Sequence, residues 1–230
     1  MQNWKYTFKL DDGRTKEFHV SIDPATLLVV QEDDAPDPPP WTLLEYRKCR
    51  NCPLDSRYTS HCPIAANISR LVADFGEIMS CASAYVSVAS SARTVTKAAS
   101  LNEGLYSLLG IYMSSSGCPV MDKLKPMAMY HLPFSTVEET VYRVFTMYMG
   151  AQYFRMKEGL CPDWELQKLV SMYDDIRSVN RDFAERIRGA AEKDSVINSL
   201  VNLDVFAMVM ADVSLSVRDL ARVFAPYLDK

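Results

Sequence analysis

The sequence lacks the signatures on which common catalytic sites depend. It contains three histidines and eight glycines among its 230 residues. The glycine-rich loops that bind phosphates or dinucleotides do not occur in it, nor do the GxSxG, HExxH and kinase motifs. These absences weigh against an enzyme that uses one of those standard sites.

Long hydrophobic runs and clusters of basic residues are missing as well. The best candidate for a membrane span, residues 104–121, is uncharged, but serines, glycines and a proline interrupt it. Residues 1–10 have no apolar core of a secretory signal, so we expect a cytoplasmic protein. Because the formal net charge is only −4, we expect neither nucleic acid nor a membrane as partner.

Cysteine is the residue type that the chain does concentrate. Three of the six cysteines fall within fourteen residues, as Cys49-x2-Cys52 followed by His61-Cys62-Pro63. In a cytoplasmic chain, such cysteines are free thiols or metal ligands rather than disulfides. The CxxC spacing lets two thiolates reach one ion from a single turn, and Cys62 adds a third.

A structural zinc site needs a fourth nitrogen or sulfur ligand. Cys118 is the best candidate, because it precedes Pro119 just as Cys62 precedes Pro63, at an expected helix start. The free N–H groups and partial positive charge of a helix N-terminus stabilise a thiolate. His61 and His131 are the alternative fourth ligands.

The same cysteines leave two other interpretations open. An iron–sulfur cluster could use the same thiols in a sensor, and Cys49 with Cys52 could form a redox dithiol of a thiol–disulfide or peroxide oxidoreductase. The leading hypothesis is a structural zinc protein with a regulatory or scaffolding role exercised through contacts with other proteins. Cys81 and Cys161 are expected to be buried and structural.

The apolar pattern predicts an α+β protein, a mostly helical body with a small N-terminal antiparallel β-sheet. Residues on either side of the Asp12-Gly13 turn alternate between apolar and polar, as in a hairpin. A third strand is expected at 27–30, and a second hairpin near 84–98. Helical spacing and capping signals predict helices at 63–79, 100–113, 119–126, 135–158, 163–187 and 194–224.

This pattern divides the chain into three parts. Residues 1–30 form the small sheet, and residues 31–40, which are acidic and rich in proline, form a linker. Residues 41–230 contain the cysteine-rich connection and the helical domain, and we expect this domain to pack with the sheet as one unit.

Several motifs resemble those of an uncharacterised bacterial family described as a domain of unknown function. They are CRNCPL, HCPIAANI, SSSGCPVM and HLPFSTVEE, and the resemblance extends from about residue 4 to the C-terminus. The family implies no activity. It implies that Cys49, Cys52, Cys62 and Cys118 belong to motifs, whereas Cys81 and Cys161 do not.

Overall fold

The computed structural model describes residues 1–30, 37–190, 194–211 and 220–228. Two antiparallel hairpins form one four-stranded sheet with the strand order β2-β1-β3-β4. The α+β fold and the second hairpin are therefore confirmed, and the two hairpins share a sheet. The strands are β1 (Gln2–Leu10), β2 (Thr15–Ile22), β3 (Ser83–Ser90) and β4 (Thr94–Ser100).

Six α-helices lie wholly within the described ranges, and residues 220–223 are helical as well. Short 3-10 helices lie at Pro40–Thr42, Met121–Leu124 and Ala225–Tyr227. None of the helices in these ranges has the length and apolarity that a membrane crossing requires. The α-helices are α1 (Pro63–Phe75), α2 (Leu101–Ser114), α3 (Lys125–Met129), α4 (Val137–Lys157), α5 (Gln167–Arg188) and α6 (Ser195–Ala211).

One face of the sheet is buried beneath the helices because apolar residues alternate along β1, β2 and β3. Phe75 at the end of α1 packs on Phe8 and Phe18, with ring centroids 5.1 and 5.6 Å away. On α2, Gly104 leaves room for Phe8, whose ring would lie 2.6 Å from an added Cβ. The missing side chain at position 104 thus allows the helix to approach the sheet.

Local capping chemistry explains most helix starts, and also the errors in predicting them. The capping box of Ser100 and Glu103 begins α2 as expected. The box before α4 is formed by Thr136 and Glu139, one residue later than predicted. Helix α5 starts four residues later than predicted, because the Asp163 carboxylate accepts the amides of residues 167 and 168 from a distance.

Two further expectations need correction, and two others extend beyond the described residues. Residues 27–30 form no strand, since a single bridge joins Val29 to Ile22 and Leu27 has a φ of 58°. Pro126 does not close a helix but occupies the first turn of α3, where its missing N–H is tolerated. Residues 31–36 of the expected linker and 212–219 of the expected last helix lie outside the described residues.

Candidate metal centre

The CxxC motif forms one tight turn. The backbone N–H of Cys52 donates to the carbonyl oxygen of Cys49 at 3.0 Å. Both cysteines are partly buried. The turn therefore carries both thiols on one short segment, as the spacing predicted.

Helix α5 holds this turn in place through the two residues between the cysteines. Arg50 forms an ion pair with Asp182 at 2.8 Å, and its backbone N–H donates to the same carboxylate. The side-chain amide of Asn51 donates to the carbonyl oxygen of Asp175 at 3.0 Å. The polar residues of the motif thus dock on the helix, which lies 124–132 residues further along the chain.

Cys62 is buried at the N-cap of α1, as predicted. Its N–H donates to the carbonyl oxygen of Thr42 at 2.8 Å, which fixes the entry to the helix. Burial raises the pKa of the Cys62 thiol, while the backbone N–H groups of Ile64 and Ala65 bond to the sulfur and work in the opposite direction. The helix start therefore offers the thiolate donors that the sequence suggested.

Cys118 is buried in the connection between α2 and α3. Gly117 precedes it with a φ of 87°, a backbone conformation that glycine adopts without strain. Burial raises the pKa of the Cys118 thiol, and the N–H groups of Val120 and Met121 bond to the sulfur and counteract that rise. Although the following 3-10 helix starts at Met121 rather than at Pro119, the thiol still meets a pair of backbone donors.

The four predicted thiols share one electrostatic environment. Burial, followed by the Cys62 thiol, the Asp182 carboxylate and then the Cys118 thiol, raises the pKa of Cys49 to about 12, while the charge of Arg186 works against that rise. The Cys52 thiol likewise raises the pKa values of Cys62 and Cys118. Thiols from the CxxC turn, from the α1 start and from the α2–α3 connection therefore lie within electrostatic range of one another.

The four thiols are not arranged as the ligands of one metal ion. Among the described residues, no group of three or more His, Cys, Asp or Glu side chains is arranged so that it could hold a metal ion. All six cysteines are free thiols. The fold thus brings the four sulfurs into range of one another without closing them on a common point.

Arg186 is the residue of the candidate site that the sequence did not indicate. Its side chain is only 1 % exposed, and it donates to the carbonyl oxygens of Trp41, Leu43 and Leu44. The positive charge of Arg186 opposes the rise in the pKa values of both Cys49 and Cys62. Its Nε is buried and has no hydrogen-bond partner. Nothing in the sequence distinguishes this arginine from the other basic residues of α5.

A comparison with protein families supplies the identity of the domain. The family model described as "Domain of unknown function (DUF6901)" matches residues 4–225. The chain belongs to the DUF6901 family. A search of curated proteins and a search of solved structures find no match to it. The family resemblance noted in the sequence is thereby confirmed at the level of a domain of unknown function.

In this DUF6901 domain, the two alternative ligands have other contacts. The Nδ1 atom of His61 lies 2.8 Å from the Thr42 hydroxyl oxygen. Both residues belong to the segment 41–62 that leads into α1, which we call the strap. The Nε2 atom of His131 lies 2.5 Å from the Tyr6 hydroxyl oxygen. Because of burial, and then of nearby Arg143, the pKa of His131 falls to about 3, which keeps the ring neutral.

Two cysteines depart from expectation. Cys81, which follows α1, and Cys161, in the turn before α5, are exposed rather than buried. Both residues lie in connections between helices and strands, at the surface of the protein, so the general tendency of cysteine to be buried does not apply to them. They provide natural controls for the four thiols that lie together.

Proposed function

We propose that this protein binds a structural zinc ion through Cys49, Cys52, Cys62 and Cys118. The observation that carries the proposal is the mutual electrostatic influence of these thiols, which come from separate parts of the chain. Cys49 and Cys118 are 69 positions apart, yet the charge of one affects the pKa of the other. Four thiolates in a tetrahedron match the preference of structural zinc.

The charge of such a site supports the same proposal. Zinc with four thiolates carries two net negative charges, and burying them requires nearby compensation. Arg186 supplies a buried positive charge beside Cys49 and Cys62, and its Nε donor has no other partner among the described residues. The backbone N–H groups directed at Cys62 and Cys118 add further compensation.

Ligation requires the sulfurs to draw together from their present positions. Each cysteine can move its sulfur by rotating a single side-chain bond between staggered positions. The attraction of the ion for thiolates supplies the free energy for this closure.

The zinc ion in this proposal acts as a clamp. It joins the strap of residues 41–62 to the α2–α3 connection and so stabilises a region with little regular secondary structure. A closed site with four protein ligands leaves no open position for a substrate. The biological role is then regulation or scaffolding through protein contacts, in the reducing cytoplasm where thiols persist.

The geometry ranks the redox alternative lower. A reactive dithiol needs a thiol with a lowered pKa and access to solvent. Burial moves the pKa of Cys49 in the opposite direction, to about 12. An iron–sulfur cluster would use the same four cysteines, so the identity of the metal separates this alternative from zinc.

Metal analysis of protein purified without a histidine tag tests the proposal. We expect about one equivalent of zinc per chain, and loss of most of it when any one of the four cysteines is changed to serine. Cys81→Ser and Cys161→Ser are the matched controls and should keep the metal, because both residues are exposed.

Three results would overturn the zinc site. Less than about a tenth of an equivalent of any transition metal would remove the metal site altogether. Brown protein with visible absorbance after anaerobic purification would favour the iron–sulfur cluster. Turnover of a disulfide or peroxide that requires Cys49 and Cys52, in protein without metal, would favour the oxidoreductase.

A further inference from the structure

A groove on the side of the helical body has the size of a small-molecule site. Its volume is about 690 Å³, and it lies between α3, α4 and the start of α5. Pockets for small organic ligands typically measure about 300–1,000 Å³. None of its lining residues is a cysteine, so the groove is separate from the proposed zinc site.

The charge in this groove has a single sign. Four basic residues line it, and no aspartate or glutamate does. The chain as a whole has a formal net charge of −4, so this local excess runs against the composition. None of the four cations forms an ion pair with a carboxylate among the described residues. They are Lys123, Arg143, Arg155 and Lys168.

The two guanidinium groups are held in position by backbone oxygens. One terminal nitrogen of Arg143 donates to the carbonyl oxygens of Met127 and Tyr130 at 2.9 and 2.8 Å. Arg155 donates to the carbonyl oxygen of Cys161 at 3.1 and 3.4 Å. Carbonyl acceptors orient these groups without neutralising them, and each guanidinium has five N–H donors to share.

Carboxylates near the groove include Asp163, which is hydrogen-bonded to the lining residue Tyr148, and Glu139. Asp163 is close enough to Lys168 for that charge to help lower the pKa of its carboxyl. Its oxygens, however, accept from the Tyr148 hydroxyl and from the first amides of α5. Glu139 influences Arg143 only at long range, since no ion pair joins them.

The rest of the lining is apolar and adaptable. Met127, Met147 and Met172 lie along the groove, and Tyr130 and Phe154 are 77 % and 68 % exposed at its edges. Methionine adapts to varied apolar shapes, and exposed aromatic rings offer faces for stacking. A ligand with both a charged group and an apolar body would match this surface.

We propose that the groove binds a small organic anion, with a carboxylate or phosphate group against Arg155 and Lys168 and an apolar body against the methionines. Guanidinium groups recognise both kinds of anion through paired hydrogen bonds. The concave shape favours a small molecule over a flat membrane surface.

Calorimetric titration of the full chain with three related probes tests this proposal. The probes are 1-naphthoate, 1-naphthyl phosphate and neutral 1-naphthol, which share one apolar body. We expect at least one anion to bind with a dissociation constant below about 1 mM and about tenfold more tightly than naphthol. The stronger of the two anions identifies the acid group that the site prefers.

Two variants test separately how the charge and the shape of the groove contribute to anion binding. Lys168→Met should weaken anion binding by about five- to tenfold, and Ala151→Trp, which fills the groove, should abolish it. The matched control is Lys157→Met. Lys157 lies over the ring of Tyr153, outside the groove, so this variant should bind as the wild type does. Circular dichroism verifies that each variant is folded.

Several outcomes would overturn the proposal. Equal binding of the anions and naphthol would remove the role of charge, and no anion binding up to about 1 mM would remove the site. Equal effects of Lys168→Met and Lys157→Met would show a general charge effect. Binding to vesicles that contain phosphatidylserine, without binding of either naphthyl anion, would indicate a membrane surface instead.

Discussion

The guanidinium of Arg50 and the carboxylate of Asp182 form an ion pair of 2.8 Å across 132 residues of sequence. Arg50 lies between the two cysteines of the CxxC turn, and Asp182 lies on α5. The carboxylate also accepts the backbone N–H of Arg50 at 2.8 Å. This pair therefore determines where the first two thiols stand relative to the helical body.

Removing the carboxylate should loosen the CxxC turn. We predict that Asp182→Ala weakens zinc binding by about tenfold, because outer contacts that orient metal ligands typically contribute that much. Competition with a chelating dye measures the change. Glu185→Ala is the control on the same helix, since within the described part of the chain its carboxylate pairs only with exposed Arg188. Equal zinc affinities of wild type and Asp182→Ala would contradict the role of this pair.

Arg186 should be essential to the strap that precedes α1. Replacing it with methionine leaves three carbonyl oxygens without their donor, that of Leu44 buried and those of Trp41 and Leu43 partly buried. We predict a loss of about 3–5 kcal/mol in the free energy of unfolding, measured by urea denaturation. Arg188 lies two positions later, at the exposed end of α5. Arg188→Met should therefore change the free energy of unfolding by less than about 0.5 kcal/mol. Similar losses in both variants would argue against a special role.

Two glycines of α2 should respond in opposite ways to substitution. A Cβ at position 104 would lie 2.6 Å from the Phe8 ring and 2.9 Å from Val86, so Gly104→Ala should destabilise the protein by about 1–3 kcal/mol. A Cβ at position 110 meets nothing within 4 Å. Gly110→Ala should therefore stabilise the helix by about 0.5–1 kcal/mol. Thermal denaturation measures the stability change of each variant. Changes in the same direction for both variants would contradict this packing.

The buried ring of His131 should make stability depend on pH. Its pKa is lowered from 6.5 to about 3 in the folded protein, mainly by burial. Below pH 6.5 the unfolded chain takes up a proton that the folded chain does not. Stability is therefore greatest above that pH and falls by about 1 kcal/mol per pH unit down to about pH 3.

Urea denaturation at pH 7, 6 and 5 measures this dependence. His131→Gln should lower stability at pH 7 but flatten the slope, because the variant has no imidazole to protonate. His19→Gln, at an exposed position of β2, should keep the slope of the wild type. Identical slopes for His131→Gln and the wild type, at equal zinc content, would rule out a role for this ring.

The elements that could be predicted from the sequence are those with local causes. The Asp12-Gly13 turn and the Ser100 capping box each act over four residues or fewer, and both are present as expected. The joining of the two hairpins could not be predicted, because it depends on the pairing of β1 with β3 about eighty residues away. The start of α5 was misplaced because Asp163 caps the helix from a distance.

The candidate site shows the same division between local and long-range causes. CxxC spacing and the cysteine–proline pairs indicated which thiols to consider, and the fold makes those four neighbours. The contribution of Arg186 could not be predicted, because its partners are carbonyl oxygens about 145 residues earlier in the chain. Every residue has a backbone carbonyl, so residue type does not show which carbonyl accepts from an arginine, whereas a carboxylate partner is visible as Asp or Glu.

X-ray absorption at the zinc edge, on protein as purified, tests the central proposal most directly. Four thiolate ligands predict a shell of four sulfurs at about 2.3 Å from zinc. In Cys118→Ser the sulfur count should fall to three or the metal should be lost, whereas Cys161→Ser should leave the shell intact. A shell made of nitrogen and oxygen, or four sulfurs that persist in Cys118→Ser, would contradict a site that joins the CxxC turn to the α2–α3 connection.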